Sequence, residues 1–130
     1  MHLLRLHGRK VVDRVRRRGS KWRGKHMMMI YLPLDAAQKR LEEGSYQLKA
    51  ISCQLLVGAI ASTALHKSAV KRNRMRRRCR EALRISLKAE SDQRKTDIQL
   101  LICPRSTSLA CDFGELLHDA RNFLRHVQKR

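Results

Sequence analysis

Apolar residues recur at helical spacing in the first part of the chain. Val11, Val12 and Val15 lie on one side of a short helix within a basic segment at residues 5–25. Gly19 predicts the end of this helix, because glycine accepts the left-handed conformation that often follows the last helical turn. The pattern therefore predicts a short amphipathic helix with a basic outer surface.

A second stretch with helical spacing lies near residue 120. Asp112 and Glu115 have the spacing of a capping box, with the aspartate at the cap position. The apolar residues that follow form one stripe, which indicates a helix face packed against a core. The stripe consists of Phe113, Leu116, Leu117, Ala120, Phe123, Leu124 and Val127.

Three apolar stretches predict strands. Residues 26–32 show no clean alternation, so both faces of this strand should be covered. Pro33 ends it, because proline cannot donate to a β-ladder. Residues 51–62 predict one long strand or two short ones, and residues 97–103 predict another that ends at Pro104.

The longest predicted helix covers residues 68 to about 89. A helix turns ~100° per residue, which separates its apolar residues from most of its basic ones. One side has Met75, Cys79, Ala82, Leu83 and Ser86, and the other has Asn73, Arg77, Arg80, Arg84 and Lys88. Like charges four residues apart repel by a few tenths of a kcal/mol. A phosphate backbone would remove that penalty, which favours a nucleic-acid-binding face over a merely solvated one.

Together these elements follow the order αβββαβα in a single domain spanning residues 1–130. Residues 34–50 are interpreted as a possible insertion between strands. Helices packed on a small mixed sheet make an α+β fold.

Charge narrows the class of partner. The chain carries 30 Lys and Arg against 11 Asp and Glu, a formal net charge of +19. A compact domain repels itself at that charge unless a polyanion shares its surface. Arginine predominates in the densest basic stretch, and its planar guanidinium suits phosphate contacts and base stacking. Nucleic acid is therefore favoured over an anionic membrane or an acidic protein.

The sequence predicts neither a secretion signal nor a membrane span. Residues 1–7 lack the apolar core of a signal peptide, and the longest mainly apolar run, residues 55–65, is too short to cross a bilayer. We therefore expect a cytoplasmic protein. Its four cysteines are widely spaced, with no Cys-x-x-Cys pair, which indicates reduced thiols rather than a zinc site.

The sequence predicts no catalytic residue and no protein metal site. A protein nuclease gathers carboxylates around metal ions or places a histidine beside a carboxylate, whereas the acids here are scattered. Glu115 and Asp119 flank His118 on the last helix, but these three residues are a poor arrangement of metal ligands. His26 and His66 adjoin basic segments, where they could contact phosphate or be ordinary surface histidines.

The basic helix resembles the signature helix of the bacterial ribonuclease P protein family. The resemblance rests on Lys-Arg-Asn-Arg at 71–74, Met-Arg-Arg at 75–77 and Arg-Glu-Ala at 80–82, preceded by His-Lys-Ser-Ala-Val at 66–70. Segments 8–19, 25–32, 57–58 and 97–104 also fall in the family's order and spacing. The resemblance covers nearly the whole chain except roughly residues 34–50.

This resemblance implies a fold and a function. The fold would be a small sheet with three helices and a left-handed βαβ crossover. The function would be that of a protein subunit that assists a catalytic RNA in removing the 5′ leader from precursor tRNA. Magnesium would act through that RNA and the substrate. The expected partners are the ribonuclease P RNA subunit and precursor tRNA with its leader, without membrane or DNA.

The resemblance also implies which residues bind RNA and the leader. Those expected to bind RNA are Lys67, Lys71, Arg72, Asn73, Arg74, Arg76, Arg77, Arg80 and Arg84. The leader would lie in a cleft between the central helix and the sheet, with Val12, Arg16 and Tyr31 contributing. The family often has phenylalanine at the positions of Val12 and Arg16, and a lysine pair where this chain has Thr63 and Ala64. The leader cleft is therefore expected to be less aromatic and differently charged.

Two other function classes remain open. One is a different RNA-binding protein, such as a ribosomal protein or an RNA chaperone, which would not depend on one particular RNA. The other is a DNA-binding regulator that places residues 68–88 in the major groove. Such a regulator would need a dimer interface and a turn-linked helix before the recognition helix, whereas an apolar, strand-like segment precedes it here.

Overall fold

The computed structural model describes residues 2–6, 8–33, 54–89 and 98–128. These ranges contain five strands and three helices. In chain order they are β1 (His2–Arg5), α1 (Arg9–Arg18), β2 (Ser20–Arg23), β3 (Met27–Pro33), β4 (Gln54–Ala59), α2 (Ala69–Ala89), β5 (Ile98–Pro104) and α3 (Phe113–Gln128), with a 3₁₀ turn at Ser106–Leu109. The possible insertion at residues 34–50 lies outside the described residues.

The strands form one mixed sheet in the order β1-β4-β5-β3-β2. β1, β4 and β5 are parallel to one another, whereas β3 pairs antiparallel with both β5 and β2. β4 and β5 are neighbours joined through α2, which makes a βαβ crossover. The predicted mixed sheet with three helices is confirmed. The structure adds β1 and β2, and the described part of the predicted strand or strand pair at residues 51–62 contains the single strand β4.

Side chains alternate between the two faces of the sheet. One face, which we call the two-helix face, packs against α2 and α3 and holds the larger core, including Met29, Leu100 and Phe123. The other, the α1 face, packs against α1 through Val15, Ile30, Leu56 and Leu101. The prediction that both faces of the strand at residues 26–32 are covered is therefore confirmed.

Gly19 ends α1, as predicted, but not in the left-handed conformation. Its backbone is extended, with φ −70° and ψ 151°, and its N–H donates to the Val15 carbonyl oxygen. A Cβ atom at this position would lie 2.5 Å from that oxygen and 2.6 Å from Cγ2 of Ile30. Glycine is therefore required here by the close approach of α1 to β3.

The two long helices begin at polar residues. The Ser68 hydroxyl accepts a hydrogen bond from the backbone N–H of Lys71, at 3.3 Å, at the start of α2. Asp112 precedes α3 as predicted, and its carbonyl accepts from the Glu115 N–H. The Glu115 carboxylate bonds to Lys25 instead of completing a capping box. The buried stripe predicted for α3 is confirmed, with Phe113 and Leu117 half-buried at its margin. Among the described residues, no helix is both long and apolar enough to span a membrane.

Candidate RNA-binding surface

The two sides of α2 predicted from the sequence are confirmed by burial. The residues of the apolar side are fully buried against the sheet and α3, namely Met75, Cys79, Ala82, Leu83 and Ser86. This packing fixes the rotation of the helix about its axis. Its basic residues are therefore held in one orientation relative to the sheet.

The outward side of α2 carries a row of exposed residues that we call the α2 ridge: Asn73, Arg74, Arg77 and Arg80. Its three arginines make no hydrogen bond or ion pair within the part of the chain that the structure describes. Lys67 and Lys71 are also exposed, just before and at the start of the helix. The ridge is thus a concentrated positive charge with no counterion among the described residues, which suits the phosphates of a nucleic acid.

Other arginines of α2 bind the protein's own backbone. The Arg72 guanidinium donates to the carbonyl oxygens of His66 and Lys67, at 2.8 and 3.0 Å. Arg76 donates to the Ala61 carbonyl at 3.0 Å, and also to the Asn73 side chain. Arg72 and Arg76 were both predicted to bind RNA, and both also hold the segment between β4 and α2 in place.

Arg84, another predicted RNA-binding residue, is partnered. Its Nε donates to Glu81 Oε2 at 2.9 Å, and a terminal nitrogen bonds to Oε1. The hydrogen bond from Arg84 is the main cause that lowers the pKa of Glu81. Arg84 is therefore less available to an incoming phosphate than Arg77 or Arg80.

An open cleft of about 580 Å³ lies between α2 and the edge of the sheet. Its lining includes Asn73, Arg77 and Arg80 of the ridge, together with Arg76, Ala59 and Val70. Arg5, at the end of β1, completes the lining from the opposite wall. The sequence reasoning missed Arg5, because only the parallel pairing of β1 with β4 brings it beside α2. The exposed apolar side chain at this cleft is Val70, which is 74% exposed.

The three residues predicted for the leader cleft do not lie together. Tyr31 belongs to the two-helix face, is 1% exposed, and its hydroxyl is 3.0 Å from Nε2 of His126. Val12 and Arg16 lie on α1, over the opposite face. Tyr31 therefore does not share a surface with Val12 and Arg16, because strand alternation directs its side chain into the core between the sheet and the two long helices. The β3 residues that face α1 are Met28, Ile30 and Leu32.

Basic residues surround the open part of the α1 face. Lys21 and Arg23 pair in register with Ile30 and Met28, which places them on this face of the sheet. Burial raises the pKa of the Cys103 thiol, and the nearby charges of Arg16 and Lys21 partly offset that rise. Exposed arginine and lysine thus border half-buried apolar positions, a combination suited to a single-stranded nucleic acid.

The acidic residues in the described ranges mostly serve the protein's own structure. Asp119 accepts hydrogen bonds from the backbone N–H groups of Lys25 and His26, at 3.2 and 2.7 Å. Glu115 is paired with Lys25 at 3.1 Å. His118 is exposed, whereas Asp119 is buried. Asp119 therefore anchors the β2–β3 turn to α3.

Comparisons with known proteins agree with this architecture. A model of the Ribonuclease P family matches residues 2–128. The ribonuclease P protein component of Synechococcus sp. (strain WH7803) is 32% identical over 123 residues, which cover 93% of this chain and 90% of that protein.

Solved structures show the same fold. The RNase P protein of Staphylococcus aureus superposes with a TM-score of 0.63 at 12% identity, covering 95% of this chain and 94% of that one. The RNase P protein from Thermotoga maritima gives a TM-score of 0.65 at 14% identity, covering 94% and 96%. The element order and the crossover of the present chain are consistent with these structures.

The fold and the ridge define a small, strongly basic α+β protein whose βαβ unit presents an arginine-rich helix. This chain belongs to the ribonuclease P protein family. The family implies a protein component of ribonuclease P with an RNA partner and a role in 5′ maturation of tRNA.

Proposed function

We propose that this chain is the non-catalytic protein subunit of a cytoplasmic ribonuclease P, and that it binds the ribonuclease P RNA through the α2 ridge and the adjoining cleft. The observation that carries the proposal is the exposure of Arg74, Arg77 and Arg80 without partners among the described residues. Arg5 adds a fourth positive charge on the opposite wall of the cleft. Neutralising phosphates there releases counterions and supplies much of the binding free energy.

The chemistry of cleavage then belongs to the partner RNA, with magnesium held by RNA and substrate. A two-metal phosphodiester cleavage needs carboxylates that converge on the ions. Within the described ranges, Asp119 is occupied by backbone N–H groups, and Glu81 is paired with Arg84. The protein's contribution is therefore positioning and charge neutralisation.

The α1 face is assigned to the 5′ leader of precursor tRNA. Arg16 and Lys21 supply positive charge beside the half-buried Val12 and Met28. This arrangement supports contact with a flexible single strand, whose bases can pack on apolar positions while its phosphates meet arginine and lysine. Aromatic stacking by Tyr31 has no part in this proposal.

Reconstitution tests the proposal. RNA-free protein should cleave no precursor tRNA with or without magnesium. Addition of the cognate ribonuclease P RNA should give accurate 5′ maturation at low magnesium. A variant with Arg74, Arg77 and Arg80 all changed to alanine should lose this stimulation, whereas Arg121→Ala, an exposed arginine on α3, should keep it.

Three outcomes would contradict the proposal. Metal-dependent cleavage by rigorously RNA-free protein would place the chemistry on the protein. Equal affinity for the cognate RNA and for an unrelated structured RNA would indicate a general RNA-binding protein. Stronger binding to duplex DNA than to the cognate RNA would favour a DNA-binding regulator.

A further inference from the structure

Three potential metal ligands converge away from the α2 ridge. His26 lies in the turn between β2 and β3, Cys111 in the segment before α3, and Glu115 in the first turn of α3. One ligand atom of each residue, the imidazole nitrogen, the thiol sulfur and a carboxylate oxygen, lies within 4.8 Å of the other two. Nε2 of His26 is 3.5 Å from Oε1 of Glu115.

The His26 ring is held in a fixed orientation. It is 5% exposed, and its Nδ1 is 2.9 Å from the Thr107 hydroxyl. Its backbone N–H donates to Asp119, and its carbonyl accepts from the Arg105 N–H at 2.9 Å. The two backbone hydrogen bonds therefore anchor the main chain of His26, while burial and the Nδ1 contact with Thr107 hold the ring.

The second ring nitrogen of His26, Nε2, is buried and makes no hydrogen bond within the described part of the chain. Nε2 points toward Glu115 and Cys111 instead. When Nδ1–H donates to Thr107, Nε2 presents a lone pair to the Glu115 carboxylate. A lone pair and a carboxylate oxygen at 3.5 Å repel each other unless a cation or a proton lies between them.

We propose that His26, Cys111 and Glu115 bind a divalent transition-metal ion, with Zn²⁺ as the best match. A set of one nitrogen, one sulfur and one oxygen is typical of zinc, which binds such ligands at ~2.0–2.3 Å and often has three protein ligands with a fourth position open. Magnesium is a poor match, because it prefers oxygen ligands in an octahedron. This site is thus chemically distinct from magnesium acting through RNA.

The environment of the three residues permits metal binding. A histidine that binds a metal through one ring nitrogen usually makes a hydrogen bond through the other. In His26 that second nitrogen is Nδ1, and its partner is the Thr107 hydroxyl. Lys25 competes for Glu115 at 3.1 Å, but its side chain is 73% exposed and can move into solvent. The partial exposure of Cys111 and Glu115 leaves their side chains room to move toward coordination distance.

A bound ion would fasten the β2–β3 turn to the start of α3. At present Asp119 makes that connection through the backbone N–H groups of Lys25 and His26. The ion would add a further connection between the same elements, which the Lys25–Glu115 pair also joins. Because the ion binds only the folded arrangement, it would stabilise the fold by an amount that rises with the logarithm of its concentration over its dissociation constant.

The test uses full-length, RNA-free protein with Co²⁺ as a spectroscopic probe and Zn²⁺ in competition with a chelating indicator. One Co²⁺ per chain should bind and give the charge-transfer absorption of a cobalt–thiolate bond, which Zn²⁺ then displaces. Cys111→Ser should abolish this absorption. Cys103→Ser, which alters a partly buried thiol on the other face of the sheet, is the matched control and should retain it.

Further variants test the remaining ligands without removing a buried side chain. Glu115→Gln should weaken Zn²⁺ binding, and Lys25→Met should leave it unchanged or strengthen it by removing the competing cation. Thr107→Val should weaken it roughly 10- to 100-fold, the usual effect of losing the hydrogen bond behind a ligating histidine. Circular dichroism of the metal-free variants separates these effects from unfolding.

Two results would overturn the proposal. One is wild-type protein that binds Co²⁺ without thiolate absorption, which would mean adventitious binding by the chain's six histidines. The other is folded Cys111→Ser and Glu115→Gln variants that bind Zn²⁺ as tightly as the wild type.

Discussion

The Arg78 guanidinium of α2 lies 2.6 Å from the carbonyl oxygen of Ser108 in the 3₁₀ turn. It also donates to the carbonyls of Leu109, at 2.8 Å, and Cys111. One arginine thus satisfies three backbone acceptors in the segment between β5 and α3. Arg78 belongs to the densest basic stretch of the chain, yet its role is internal.

Arg78→Ala should therefore lower the stability of the fold rather than RNA affinity at the ridge. Hydrogen bonds to a charged group contribute ~1.5–3 kcal/mol each, so a loss of about 2–4 kcal/mol in unfolding free energy is expected. Urea denaturation of Arg78→Ala beside Arg74→Ala measures this difference. Equal stability of the two variants would show that the backbone contacts of Arg78 are not important.

Salt dependence tests the α2 ridge. Binding to the partner RNA should weaken log-linearly with salt, because each neutralised phosphate releases counterions. Arg77→Ala and Arg80→Ala should each reduce the slope by roughly one. Arg121→Ala on α3 should leave it unchanged. Filter binding or fluorescence titration over a salt series measures the slope, and an unchanged slope in both ridge variants would mean that the ridge faces solvent in the complex.

The two sides of α2 should respond oppositely to substitution. Arg74→Ala should weaken RNA binding about tenfold or more, since a charge-assisted contact is worth ~1.5–3 kcal/mol, with little change in melting temperature. Leu83→Asp should unfold the domain, because Leu83 is fully buried and an unpaired charge there is strongly unfavourable. Thermal melting beside RNA titration distinguishes the two. Comparable destabilisation by Arg74→Ala would contradict the assignment of sides.

Arg72→Ala should lower both the stability of the fold and the affinity for RNA. Its guanidinium donates to the carbonyls of His66 and Lys67, so its removal should cost about 1–2 kcal/mol of stability. It should also reduce RNA affinity, because the segment it holds carries Lys67. Arg72→Lys is the informative control, since lysine keeps the charge but lacks the planar guanidinium that can donate to two carbonyls at once. Full recovery of stability by lysine would argue against the paired carbonyl contacts.

Leader recognition should depend on Arg16 and not on Tyr31. Arg16→Ala should reduce the preference for precursor tRNA over mature tRNA by severalfold, because it removes an exposed charge from the α1 face. Tyr31→Phe should leave that preference intact and cost ~1 kcal/mol of stability through the lost contact with His126. Competitive binding of the two tRNA forms to the reconstituted enzyme measures the preference. A selective loss in Tyr31→Phe would restore Tyr31 as a leader contact.

Periodicity alone determined much of the architecture. The spacing of Met75, Cys79 and Leu83 located the buried side of α2, because the apolar residues of an amphipathic helix recur along the sequence at the helical period. Pro33 and Pro104 correctly bounded β3 and β5. The motif of α2 also identified the family. The four-residue strands β1 and β2 were missed, since they are too short for alternation to be recognised.

The tertiary structure decided which charged and polar residues are free to act. Arg77 and Arg78 are adjacent and chemically identical, but one is exposed on the ridge and the other binds three carbonyls of a distant turn. Strand pairing likewise placed Arg5 opposite the ridge. It also brought His26 to Cys111 and Glu115, far away in the sequence. Local sequence encodes the period of each element, whereas the partners of a side chain depend on long-range packing.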